Sequence, residues 1–224
     1  MRLVLLPGLN GSNRLFAPLL AQLADVPCQV IELPRQGRQD HDALAFTLKE
    51  QLGTAPFVLL GESFSGALAH RLALQCPEGL AGLIFAASFL QRPHPLLTTW
   101  SSRLPVPKAL LAQPWLLRLF CIGDAQPSVL EQLRTEILDL SPELLSARLK
   151  ALAALRPPTQ RVSIPALHLW PTRDRLVTNA AAASLARGCD NLLRERIEGP
   201  HFLLQNRHQD CARAIRAFME KLRG

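Results

Sequence analysis

The sequence predicts an α/β protein: a three-layer arrangement in which a mostly parallel sheet of about six strands lies between two layers of helices. Three observations predict it. Short, continuously apolar runs alternate with stretches of helical spacing from Arg2 to Ala86, and the alternation resumes at Ala166. Strands and helices in alternation build a parallel sheet covered on both faces. Between the two halves, Gln91 to Arg161 holds no convincing strand but several helical pieces separated by prolines, so a helical insert follows the fourth strand. At 224 residues and 48% hydrophobic, the chain can bury one good core. The expected division is a core domain of residues 1–90 and 162–224, with a helical cap of residues 91–161.

In order, Arg2 to Leu6 is a first strand, too uniformly apolar for an exposed edge. Pro7-Gly8-Leu9-Asn10-Gly11-Ser12-Asn13 is a loop, and Leu15 to Leu23 a helix. Cys28 to Leu33 is a second strand, followed by the polar loop Pro34 to Asp40 and a helix from Ala43 to Leu52. Pro56 to Leu60 is the third strand, Ala67 to Leu74 the next helix, and Leu80 to Ala86 the fourth strand. In the insert, Ser128-Val129-Leu130-Glu131 has the form of a capping box. Ser141-Pro142-Glu143 has the form of an N-cap followed by proline at the first helical position. Strand Ala166 to Trp170, helix Asn179 to Arg187, strand Leu192 to Ile197 and a last helix from Asn206 to Leu222 complete the chain.

Composition excludes several classes of function. The five cysteines are odd in number and dispersed without a C-x-x-C pair, and Cys28 and Cys76 fall in apolar elements. That pattern predicts buried thiols in a reducing compartment. The apolar run Leu3 to Leu6 stops at Pro7-Gly8, unlike a signal peptide, and no apolar run approaches membrane-spanning length, so a cytoplasmic location is expected. The net charge of +7 comes without a basic stripe interleaved with aromatics, and tyrosine is absent, which argues against nucleic acid. The histidines and carboxylates lack the spacing of metal ligands, so neither metal nor cofactor is expected.

The chemistry centres on Gly61-Glu62-Ser63-Phe64-Ser65-Gly66, between a strand and a helix. A strand that turns sharply into a helix holds its apical residue in a strained conformation, and small flanking residues let the two elements pack closely. A serine hydroxyl needs an adjacent base. His201, after the sixth strand, can take its proton, and Asp174, after the fifth, can hold the imidazole in the right tautomer. The backbone N–H groups of Phe64 and Leu9 can receive the negative charge of a tetrahedral intermediate. Other readings exist: Asp174 as a helix cap, His201 as the start of a surface helix, Glu62 as a structural residue beneath the turn. Ser65 reads as small rather than reactive. Among the other histidines, His168 lies mid-strand and reads as core, and His41, between Asp40 and Asp42, as solvated.

The order Ser63, Asp174, His201, each after a parallel strand, resembles the α/β-hydrolase superfamily over nearly the whole chain. Gly61 to Gly66 matches its elbow, Asp174-Arg175-Leu176-Val177 resembles its acid loop, and Gly199-Pro200-His201-Phe202 its histidine loop. Two departures stand out. The chain begins at what would be the family's third strand, so the usual N-terminal hairpin is expected to be missing, and Pro7-Gly8 stands where many members have His-Gly.

The resemblance implies a serine esterase with a helical cap, similar to small bacterial carboxylesterases that include the pimeloyl carrier-protein methyl ester esterases. The expected reaction is cleavage of a small-molecule acyl ester through an acyl-serine. Thioesterases and acyltransferases of similar layout, and ligand-binding proteins on the same fold, are the alternatives. The insert carries nine Lys or Arg against five acids, together with Trp100, Trp115, Phe120 and many leucines. One face should therefore roof an apolar acyl pocket. Its basic residues, Arg103, Arg148 and Lys150 among them, are either a solvated outer face or a landing site for an acidic acyl carrier protein.

Overall fold

The computed structural model describes residues 1–98 and 107–223; Trp100 and Arg103 lie outside the described residues. Six strands form one sheet in the order β2-β1-β3-β4-β5-β6, and every pair is parallel. They are β1 (Arg2–Leu6), β2 (Cys28–Val30), β3 (Phe57–Glu62), β4 (Leu80–Ala86), β5 (Ala166–Pro171) and β6 (Leu192–Ile197). The strand order reverses between β1 and β3. In open parallel sheets, the crevice at such a reversal is where ligands bind, outside the C-terminal strand ends.

Side-chain alternation along the strands builds two separate cores. Val4, Leu6, Leu59, Leu83 and Phe85 point to one face, where α2 (His41–Leu48) and α3 (Phe64–Leu74) cover them. Leu3, Leu5, Val58, Leu60, Ile84 and Leu169 point to the other, under α1 (Ala17–Gln22) and the long helix His208–Lys221. The central strands are buried on both faces, which is why they read as continuous apolar runs.

Between β4 and β5 lie α4 (Lys108–Leu111), α5 (Pro114–Leu117), a π-helical turn at Arg118–Ile122, α6 (Pro127–Asp139) and α7 (Pro142–Ala154). Ser141 caps α7 as expected, its hydroxyl accepting the Leu144 amide at 3.1 Å. The capping box at Ser128 does not form. Pro127 occupies the first turn of α6 and Gln126 the N-cap, so Ser128 is already helical, because proline fixes the backbone angle that starts the helix two residues earlier.

Other boundaries also move. The helix expected at Asn179–Arg187 is broken into α8 (Asn179–Ala182) and α9 (Leu185–Gly188). The last helix divides into α10 (Leu203–Asn206) and α11 (His208–Lys221). Cys76 is exposed and has φ 46° just beyond α3, whereas Cys189 and Cys211 are the buried thiols; Cys28 is half-buried.

Candidate active site

Ser63 sits between the end of β3 and the first turn of α3 with φ 48° and ψ −110°. Such a conformation costs a non-glycine residue about 1–3 kcal/mol and persists only where the surroundings enforce it. Here they do. A Cβ on Gly61 would lie 2.4 Å from the Ser65 carbonyl oxygen, so strand and helix meet backbone to backbone. Gly66 faces Ser88 at the end of β4, whose hydroxyl donates to the Ser63 carbonyl at 2.7 Å. The Ser63 amide donates to Ala86 O at 2.9 Å. Ser65, at the position where many such turns have glycine, is fully buried and donates its hydroxyl to the Pro7 carbonyl. It therefore ties the elbow to the loop after β1.

The structure brings Ser63, His201 and Asp174 together from three strand ends. Ser63 Oγ is 2.9 Å from His201 Nε2, and His201 Nδ1 is 2.7 Å from Asp174 Oδ2. The other Asp174 oxygen accepts the amides of Leu176 and Val177 at 2.8 and 2.9 Å. The cap reading and the acid reading of Asp174 thus describe the two oxygens of one carboxylate. A carboxylate accepts but does not donate, so Nδ1 carries the proton and Nε2 presents its lone pair to the serine hydroxyl.

His201 is buried, which by itself pulls its pKa down; the charge and hydrogen bond of Asp174, and behind it Glu62, outweigh burial and hold it above its ordinary value. Glu62 is buried beneath the elbow. Burial raises its pKa, against the opposing effects of the Gln205 side chain at 2.9 Å, the His201 charge and the Gly8 amide.

The loop after β1 brings Leu9 to the same crevice. A Cβ on Gly8 would lie 3.8 Å from Ser63 Cβ, so this loop passes directly beside the serine. The turn is closed by Gly11 N donating to Gly8 O at 3.0 Å. Phe64 supplies the first N–H of α3, where the helix dipole also favours negative charge.

A cavity of about 510 Å³ opens from Ser63 and His201. Its walls are almost wholly apolar: Phe89, Leu97, Leu117, Leu133, Leu145 and Phe202 are representative, drawn largely from the insert. Cys121 also lines it, but burial and then the Asp174 charge push its thiol up to about 12, which keeps it protonated and poorly nucleophilic.

Four residues escaped the sequence reading or were misplaced by it. His41 is buried rather than solvated: it stacks on Phe64 with ring centroids 4.4 Å apart, and its Nε2 donates to the Phe64 carbonyl at 3.1 Å. Burial, then Arg71, lowers its pKa to about 4, so it stays neutral. Gln205 holds Glu62. Arg148 is fully buried, not a surface charge, and Glu136 is buried as well. Helical spacing carried the missing signal for both. Arg148 lies four residues from both Leu144 and Leu152, and Glu136 three residues past Leu133, each on its helix's apolar stripe. His168 is core as expected, its pKa lowered to about 3 by burial and then Arg194.

Comparison with known proteins agrees with this layout. A family model described as serine aminopeptidase, S33, matches residues 31–198. The chain is 32% identical over 204 residues to the biotin biosynthesis bifunctional protein BioHC of Cellvibrio japonicus (strain Ueda107), covering 82% of this chain. It spans only 40% of the length of that relative. Among solved structures, a thermophilic esterase from Thermogutta terrifontis with malate bound superposes with a TM-score of 0.79 at 21% identity, covering 99% of this chain and 90% of the other. The enol-lactonase from Burkholderia xenovorans LB400 superposes with a TM-score of 0.81 at 19% identity, over 97% and 90% of the two chains. At such identities these likenesses establish the fold alone.

Proposed function

This chain belongs to the serine aminopeptidase S33 family of α/β hydrolases, and on that premise we propose that it cleaves carboxylic esters through an acyl-serine intermediate. The observation that carries the proposal is the unbroken hydrogen-bonded line from Ser63 Oγ through His201 to Asp174 at the mouth of an apolar cavity. In this reading, His201 Nε2 takes the Ser63 proton as the oxygen attacks the ester carbonyl. Asp174 stabilises the imidazolium that results. The carbonyl oxygen becomes an anion, received by the amides of Leu9 and Phe64. His201 then returns the proton to the departing alcohol, and water attacks the acyl-serine by the same path in reverse.

The cavity volume falls within the usual range of small-molecule pockets, about 300–1,000 Å³. Its apolar walls suit an aliphatic or aromatic acyl group, with residues 91–161 acting as the lid over it. The name of the Cellvibrio japonicus relative supports looking for an acyl ester of biosynthesis among the natural substrates. A carrier-linked ester would be met by the exposed Arg118, Lys150 and Arg156, but not by Arg148.

A fluorophosphonate probe and a panel of p-nitrophenyl esters and acyl thioesters of graded chain length test the reaction. Wild type should label and turn over esters, and Ser63→Ala should do neither while keeping its circular dichroism spectrum. Labelling that survives in Ser63→Ala would reject Ser63 as nucleophile. Faster turnover of matched thioesters would move the assignment to a thioesterase.

A further inference from the structure

Arg148 reaches out of α7 into the core, where it is fully buried, and its guanidinium is held by three neutral acceptors. Nε donates to Gln39 Oε1 at 3.0 Å, Nη1 to the Leu9 carbonyl at 2.7 Å and Nη2 to the Pro34 carbonyl at 3.0 Å. No carboxylate pairs with it among the described residues. Burial, then the charge of Arg35, lowers its pKa to about 10, so it stays cationic near neutral pH. The guanidinium also packs flat on the turn: a Cβ on Gly11, at φ +76°, would lie 2.4 Å from Nη1.

From the adjacent helix, Glu136 grips the far side of the same loop. Its Oε2 accepts from Asn10 Nδ2 at 3.0 Å and from the Ser12 hydroxyl, and its Oε1 from Arg14 at 3.2 Å. Solvent cannot stand in for these bonds, since both side chains are buried. A buried charge of this kind is costly unless its hydrogen bonds are made, so the arrangement holds each loop group to one geometry.

We propose that Arg148 is a positioning residue for the oxyanion site: by holding the Leu9 carbonyl against the Gly8–Gly11 turn, it aims the Leu9 amide at the carbonyl oxygen of the substrate. It rests on the reading of Leu9 as an oxyanion donor. Its consequence is that the helical insert, besides covering the acyl pocket, completes the catalytic geometry. The guanidinium also places a positive charge, hydrogen-bonded to no carboxylate among the described residues, behind the amide that meets the developing anion. Both effects act in the transition state more than on the bound ester, where the carbonyl oxygen carries little charge.

The test is steady-state hydrolysis of a short p-nitrophenyl ester by Arg148→Met and Arg148→Lys, with binding of an alkyl boronic acid that forms a tetrahedral adduct on Ser63. Loss of a whole oxyanion donor costs about 10²–10³ in kcat, so a misaimed one should cost about 10–100-fold in Arg148→Met. KM should change less than about threefold, and boronate affinity should fall with kcat, as expected for an interaction made only in the transition state. Arg148→Lys keeps a cation but not the fork, and should fall between wild type and Arg148→Met.

A kcat within twofold of wild type, or a rise in KM with unchanged boronate affinity, would overturn the proposal and leave Arg148 as a stabilising strut. If Arg148→Met does not fold, Arg148→Lys decides alone, since an unaltered kcat there is equally fatal. Turnover by wild type tests the esterase reading itself, so the two failures are told apart.

Discussion

The sheet core and the helical insert are held by different physics. In the core, strands such as β3 are buried along their whole length, and position is set by side-chain packing and backbone ladders. The elbow at Ser63 is fixed the same way, by close approach at Gly61 and Gly66. The insert is poorer in buried apolar side chains; Leu110, Trp115, Leu119 and Phe120 remain exposed. It reaches the loop after β1 through two buried charges, Arg148 and Glu136, as well as through the leucines that pack on Leu9. One half of the proposed site is thus positioned by shape alone and the other by packing together with buried charge, and substitutions should separate the two.

The largest effect is expected within the shape-positioned half. Asp174→Asn keeps an oxygen for the Leu176 and Val177 amides but presents an amide to His201, favouring the wrong tautomer. kcat should fall by about 10⁴ with little change in melting temperature. A loss smaller than tenfold would reduce Asp174 to the loop cap that its other oxygen already is.

Gly61→Ala attacks the packing directly. Its Cβ would meet the Ser65 carbonyl, which is backbone and cannot step aside. Overpacking of this kind costs about 1–3 kcal/mol, and each kcal/mol lowers the melting temperature by about 2–4 °C in a domain of this size. A melting temperature equal to wild type would show that the elbow is looser than its geometry implies.

A smaller effect concerns pH. The base form of His201 is neutral, and its pKa is held above the ordinary value of 6.5, so kcat/KM should fall as pH drops through that raised value. Glu62→Gln removes one of the charges that raise it. The acid limb should then move to lower pH, with activity gained on the acid side. An unmoved limb would mean that Glu62 is already protonated there and serves only as a strut for Gln205 and Gly8.

The smallest effect belongs to the outer face of the insert. If its exposed basic residues steer an acidic carrier, added salt should depress kcat/KM for a carrier-linked ester but not for a neutral small ester, because exposed charges are screened beyond about 8–10 Å. Lys150→Glu should weaken only the carrier-linked reaction. Equal responses for both substrates would assign those charges to solubility.

These two halves also differ in how far they were legible from the sequence. β1 and β4 begin and end where their apolar runs do, because a strand buried on both faces leaves little freedom in its pattern. Ser63, Asp174 and His201 were legible from order along the chain, since parallel topology sends successive strand ends to one edge. The insert was not. Pro127 shifted the start of α6 by local backbone geometry, and a charge inside an apolar stripe is ambiguous until its acceptors are known. Arg148 binds carbonyls at Leu9 and Pro34, more than a hundred residues away, and backbone carbonyls leave no mark in a sequence.

The place of the insert has a consequence for how such a protein can change over evolutionary time. Leu83 of β4 pairs with Ala166 of β5, so the insert closes a loop on a ladder that already exists. Doubling a loop of roughly eighty residues adds only about 0.6 kcal/mol to its closure cost. For the sheet, then, one insert can be exchanged for another of different length almost without penalty, and with it the lining of the cavity. The hooks set the limit on that freedom. A transplanted lid that lacked counterparts of Arg148 and Glu136 would leave a well-folded sheet with an intact serine, and a neighbouring loop no longer told where to stand.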